Sequence, residues 1–193
     1  MLKYGKNKAA EGLEENIVRT RLVLVALAVA VLRAAAPEPP ADEYRVKGAF
    51  LLNFAKFVEW PESAFKGPGD PIAVCILGVS PFSPSLDAAA QSAVVEKRPV
   101  VVRQIPEPLL ARQCQIVFVS AAERKRVHAL LQAVQGASVL TVGETEGFIA
   151  DGGVIELGVE DNRVRMQINS AAAKKGGLRI SAKLLSLAQS GNR

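Results

Sequence analysis

A chain of 193 residues with 49% hydrophobic content buries one good core and has no room for two. Its net charge of +5 argues little for nucleic acid once it is located. Lys3, Lys6, Lys8, Arg19, Arg21 and Arg33, against Glu11, Glu14 and Glu15, place +3 in the first 36 residues and leave +2 for the rest, whereas a nucleic-acid binder keeps its basic stripe in the folded part.

Arg19 and Arg21 precede residues 22–32, LVLVALAVAVL, an uncharged apolar run of eleven. Ala34, Ala35 and Ala36 follow, then the Pro-rich PEPPAD of residues 37–42. Basic region, short apolar core and small-residue cleavage site are the parts of a secretory signal. Eleven residues are well short of the roughly 20 that a spanning helix needs. Residues 1–36 therefore read as a signal peptide, with an uncleaved anchor as the alternative, and 37–42 as a linker.

Residues 43–61, EYRVKGAFLLNFAKFVEWP, carry Val46, Ala49, Phe50, Phe54, Phe57 and Val58 at three- and four-residue steps. That is the period of one helix face, and Pro61 stops the helix. The expected result is a core helix around which the domain packs. Asn53 falls inside the apolar stripe. A buried amide without a partner costs about 1–3 kcal/mol, so either backbone from a neighbouring loop or a ligand should meet it.

A turn-rich loop, ESAFKGPGD, leads to residues 71–77, PIAVCIL, an apolar β-branched run that suits a central parallel strand. A short helix is expected from Ser83 to about Gln91, a second strand at 99–105 and a third at 115–119. Ser120 and Glu123 have the spacing of a capping box. Val127, Leu130, Leu131 and Val134 follow at helical steps up to Gly136. Residues 138–142 form a fourth strand, and 154–159 with 163–168 an antiparallel hairpin turning at Glu160, Asp161 and Asn162. Asn169 and Ser170 cap an alanine-rich helix that breaks at Gly176 and Gly177, and Ser181 starts a last helix. Strands alternating with helices imply one α/β domain over residues 43–190, with a mixed, mostly parallel sheet flanked by helices and a C-terminal hairpin and helix.

Common catalytic constellations are missing. The single histidine, His128, sits on the shoulder of its helix with no G-x-S-x-G elbow in the chain, and reads as a surface residue. Two distant cysteines and one histidine do not make a zinc set. Glu144 and Glu146, near Asp151, resemble a carboxylate pair, but a polar loop accounts for them better. Arg124, Lys125 and Arg126 read as a solvated helix face. No phosphate-loop spacing surrounds Gly78. Open α/β sheets nevertheless bind ligands at the carboxyl ends of their strands, which makes Gly78, Ser80 and Phe82 the pocket that topology suggests. In an oxidising compartment Cys75 and Cys114 would pair; two unpaired buried thiols are the alternative.

The ordered set of segments resembles the YfiR/HmsC-like family. It runs through VKGAFLLNFAKFVEWP (46–61), AVCILG (73–78), CQIVFVS (114–120), LTVGETEGF (140–148), GGVIE (152–156), VRMQIN (164–169) and LRISAKLLSL (178–187). The resemblance covers about residues 43–189. Its signature positions here are Asn53, Phe54, Phe57, Trp60, Pro61, Gly78, Gly147, Phe148, Gly152, Gly153 and Asn169. It implies a non-catalytic periplasmic protein without cofactor or metal, which binds the periplasmic sensor domain of an inner-membrane diguanylate cyclase and represses it. Cyclic-di-GMP falls, and with it exopolysaccharide and biofilm. Family members often form homodimers, and Cys75 with Cys114 matches one of the family's disulfides. A second pair found in some members has no counterpart, since residues 145–152 hold no cysteine. The runner-up reading is a periplasmic small-molecule receptor using the Gly78 cleft; an enzyme of unrecognised type comes third.

Overall fold

Runs of β-branched residues between turn formers become inner strands because both of their faces can be covered. The computed structural model describes residues 41–82, 84–161 and 163–190. The expected signal peptide and nearly all of the linker, residues 1–40, lie outside the described residues, as do Ser83 and Asn162 of the expected hairpin turn. The described chain begins with α1 (Ala41–Phe57), followed by β1 (Val58–Glu59), β2 (Ile72–Leu77), α2 (Ser85–Gln91), β3 (Val94–Val95) and β4 (Arg98–Ile105). Then come β5 (Ile116–Val119), α3 (Val127–Ala133), β6 (Leu140–Gly143), β7 (Ile155–Glu160), β8 (Arg163–Ile168), α4 (Ser170–Lys175), β9 (Arg179–Ile180) and α5 (Ala182–Ser190). Short 3-10 turns occupy Glu62–Ala64, Pro108–Gln113 and Ala121–Arg126.

Seven strands form one mixed sheet in the order β3-β4-β2-β5-β6-β7-β8. The five inner strands are parallel, and β3 and β8 are antiparallel edges. The sheet's direction of growth reverses between β2 and β5, because β4 lies on one side of β2 and β5 on the other. Strand alternation sorts the core into two layers. Val74, Ile76, Ile116, Phe118, Leu140 and Val142 face Leu51, Phe54 and Ala55 of α1 and Leu184 and Ala188 of α5. Cys75, Leu77, Val117 and Val119 face Val127 and Leu130 of α3, with Ala111 and Phe148. Each large side chain buried in this way stabilises the fold by about 1.5–3 kcal/mol.

The strands, the hairpin and the C-terminal helices fall where the periodicity predicts them. Asn169 caps α4 by accepting from the Ala172 N–H at 2.9 Å, and its amide donates to the Ile149 carbonyl at 3.2 Å. Two other details differ. The helix α1 stops at Phe57 rather than running to Pro61, because Val58 and Glu59 pair with Ile180 and Arg179. The Trp60 indole then donates to the Gln115 carbonyl at 3.2 Å. The buried stripe of α1 is also rotated from the expected one. Lys47, Leu51, Phe54 and Ala55 point inward, whereas Val46, Ala49 and Asn53 are exposed. The helix offers apolar residues at two phases, and the sheet covers the one that includes Leu51.

The capping box fails to form as well. Ser120 makes no side-chain bond at the start of the 3-10 turn. Glu123 instead lies over Gly78, where an added Cβ would collide with its carboxylate. Phe148 needs glycines on both sides for a similar reason. A Cβ on Gly143 would stand 2.5 Å from the Phe148 ring, and one on Gly153 closer still. Between them Gly147 and Gly152 adopt φ of +83° and +105°, a region closed to most side chains. The signature glycines and phenylalanine thus make a slot and its filling.

Cys75 on β2 is bridged to Cys114, with 6.0 Å between the Cα atoms. The bridge ties the central strand to the segment that enters its neighbour. Replacing both cysteines by alanine is expected to lower stability to urea by about 2–4 kcal/mol. Free-thiol labelling of the unreduced, denatured protein should find no thiol, and a full stoichiometry of labelled thiol would refute the bridge.

Candidate functional site

The carboxyl ends of β5 and β6 carry a charge held out of water. Glu144 directly follows β6, and only 4% of its side chain is exposed. An unpaired buried carboxylate would be very costly, and here it is surrounded by donors. Lys47 of α1, itself 3% exposed, places its Nζ on Glu144 Oε2 and lies 2.5 Å from Glu43 Oε1 one helical turn earlier. The Tyr44 hydroxyl donates to Glu144 Oε1 at 2.8 Å. The backbone N–H of Ala121 donates to the same oxygen at 2.8 Å. The carboxylate therefore serves as the cap that Ser120 does not provide. It binds α1, the end of β6 and the turn after β5 to one point.

Aromatic rings close the crevice beside this centre. Tyr44 meets Phe82 edge-on with 5.5 Å between centroids, and Phe82 meets Phe118 of β5 at 5.0 Å. Burial raises the Tyr44 hydroxyl above its usual pKa, helped by its hydrogen bond to Glu144 and by the charges of Glu144 and Glu43. Glu144 is thus a buried, partnered carboxylate and not a solvated loop residue. Glu146 and Asp151 are exposed, and burial separates Glu144 from both.

Outside this centre, α1 and α2 part to leave a groove of about 510 Å³. Gly48 and Leu52 line it from α1, Leu86 and Ala89 from α2, and Phe82 from the loop before α2; Arg45, Asn53, Lys56 and Ser92 add polar atoms. Of the three pocket residues that topology suggested, Phe82 lines this groove. Gly78 lies beneath Glu123, and the Ser80 hydroxyl accepts from the Phe82 N–H at 3.2 Å. Asn53 needs no buried partner, since it is exposed along the groove. Trp60, Phe54, Phe57 and Pro61 belong to the packing around α1 and its exit. His128 is exposed, as are Arg124 and Lys125, while Arg126 is half-buried and donates to Glu123 at 3.3 Å and to the Pro106 carbonyl. Among the described residues, no three His, Cys, Asp or Glu side chains stand together in a way that could hold a metal. Sequence reasoning missed Lys47, Tyr44 and Glu43 as a unit. The available signal was a lysine four residues before Leu51 and seven before Phe54, on the second apolar phase of the helix.

The chain belongs to the YfiR/HmsC-like family, whose model matches residues 44–189. Membership supports a regulatory role in the periplasm in general. Among the described residues no helix is long and apolar enough to cross a membrane. A solved structure described as a conserved domain protein from Vibrio cholerae O1 biovar eltor is similar, with a TM-score of 0.42 and 11% identity over 61% of this chain. The matched part is 53% of that chain, about half its length. No curated protein matches.

Removing one partner of the buried pair leaves the other uncompensated. Lys47→Met is expected to cost about 3–5 kcal/mol, and adding Glu144→Leu to recover part of that loss. Additive losses in urea titrations would show that the two charges are not coupled. The Tyr44 shift has a definite sign. The unfolded chain loses this proton near pH 10 while the native state keeps it, so stability falls as pH rises above about 10 towards the native value. Tyr44→Phe should lessen that alkaline loss, which unfolding curves from pH 8 upward would read.

Proposed function

We propose that this member of the YfiR/HmsC-like family is a non-catalytic docking protein, exported by the signal in residues 1–36. It binds the periplasmic sensor domain of an inner-membrane signalling protein of the diguanylate cyclase type. Docking holds that protein in its inactive conformation, lowers cyclic-di-GMP, and reduces exopolysaccharide and biofilm. The observation that carries this reading is the family match over residues 44–189, nearly the whole of the folded part. The Glu144 centre supports it further, because its polar atoms engage one another rather than an open cleft. The mechanism is a binding equilibrium, and a stimulus relieves repression only by its differential affinity for the docked and free states.

The groove favours a second reading, a small-molecule receptor subunit. Its volume of about 510 Å³ and its apolar walls with few polar groups are those of a small-ligand site. The two readings are compatible if a ligand in the groove weakens docking.

An affinity capture from membranes with the purified protein as bait, read by mass spectrometry, tests the first reading. The expected result is enrichment of an inner-membrane signalling protein whose cyclase activity, after reconstitution, falls when the bait is added. Recovery of no such protein, under conditions where a control complex survives, would leave the receptor reading in its place.

A further inference from the structure

We propose that the groove between α1 and α2 binds an anionic amphiphile of the fatty-acid type, an extended apolar tail ending in a carboxylate. The site would exist whether or not the protein docks on a signalling partner. Its walls come first. Gly48 lets Leu86 and Phe82 pack directly on α1, since even a methyl there would stand 3.2 Å from Leu86 Cδ1 and 3.4 Å from Phe82 Cδ1. Ala49 and Ala89, both exposed, set a shallow apolar rim over Leu52 and Leu86. Small residues on facing helices leave a channel that larger side chains would have closed.

The shape selects a chain over a compact ring system. Lining residues run along α1 from Tyr44 to Lys56, a rise of twelve residues and therefore about 18 Å of helix. The charge selects the head group. Asn53 and Lys56 are one turn apart near the end of α1, and Arg45 stands at the other end. Among the described residues, no acidic side chain lines the groove. At the Lys56 end an ammonium meets a like charge, whereas a carboxylate meets a cation and an amide donor. The aromatic floor is also the residue that packs on Tyr44, so a tail lying on Phe82 touches the element that holds Glu144.

Titration calorimetry of the purified protein with sodium decanoate, sodium octanoate and decyltrimethylammonium tests the assignment. Decanoate should bind with one-to-one stoichiometry. Octanoate should bind about fifteenfold more weakly, from two methylenes at about fourfold each. Decyltrimethylammonium should bind at least about tenfold more weakly than decanoate, since the head group then repels. Ala89→Trp fills the trough from an exposed position and should abolish binding with the thermal midpoint unchanged. Lys56→Glu should weaken decanoate and strengthen the cation. Three results would overturn the proposal. These are no decanoate binding to the wild type, binding indifferent to head-group charge, and binding that survives Ala89→Trp. A wild-type dimer that Ala89→Trp dissociates, with no decanoate bound, would assign the groove to a second copy of the chain and overturn it equally.

Discussion

A carboxylate at the end of a buried strand has to be neutralised where it stands, and the structure around Glu144 is built to do that. One oxygen takes a phenol and a peptide N–H, and the other takes an ammonium. Those donors come from α1 and from the turn after β5, which are remote from each other in sequence. Satisfying one charge therefore fixes the depth of α1 on the sheet, the position of the Ala121 turn and the exit of β6. Once α1 is placed, Leu51 and Phe54 fall onto the apolar layer of the sheet and its opposite phase is left outside.

That opposite phase is what borders the groove. The same rotation of α1 that buries Lys47 turns Ala49, Asn53 and Lys56 outward, beside α2. Tyr44 belongs to both places, since it lines the groove and donates to Glu144. A closed polar centre and an open apolar trough are thus two sides of one helix. The residue that borders one end of the trough is therefore also one that anchors the helix.

On the far face, the Cys75–Cys114 bridge and the Phe148 slot do comparable work without charge. The bridge holds the central strand to the segment entering β5, and Phe148 seals the layer beneath the loop that follows β6. Gln115 completes that end of the sheet. Its side chain accepts from the Ala73 N–H at 2.9 Å and donates to the Ala64 carbonyl at 2.8 Å, so the first inner strand begins with its polar groups paired.

The sequence by itself determined the class of fold, because strand and helix periods, turn residues and the Asn169 cap are local properties that the chain states directly. The family signature was legible for the same reason, as an ordered set of such pieces. Tertiary structure alone decided which phase of α1 faces inward, since both phases are apolar and only the sheet's shape discriminates between them. It also decided the fate of Ser120 and Glu123, whose spacing promised a capping box. Glu144 reaches the Ala121 N–H from 23 residues away and Lys47 from 97, and no local pattern encodes a partner at that distance. Charges far apart in the chain become a pair only when burial removes water as the alternative, and burial is a property of the assembled fold.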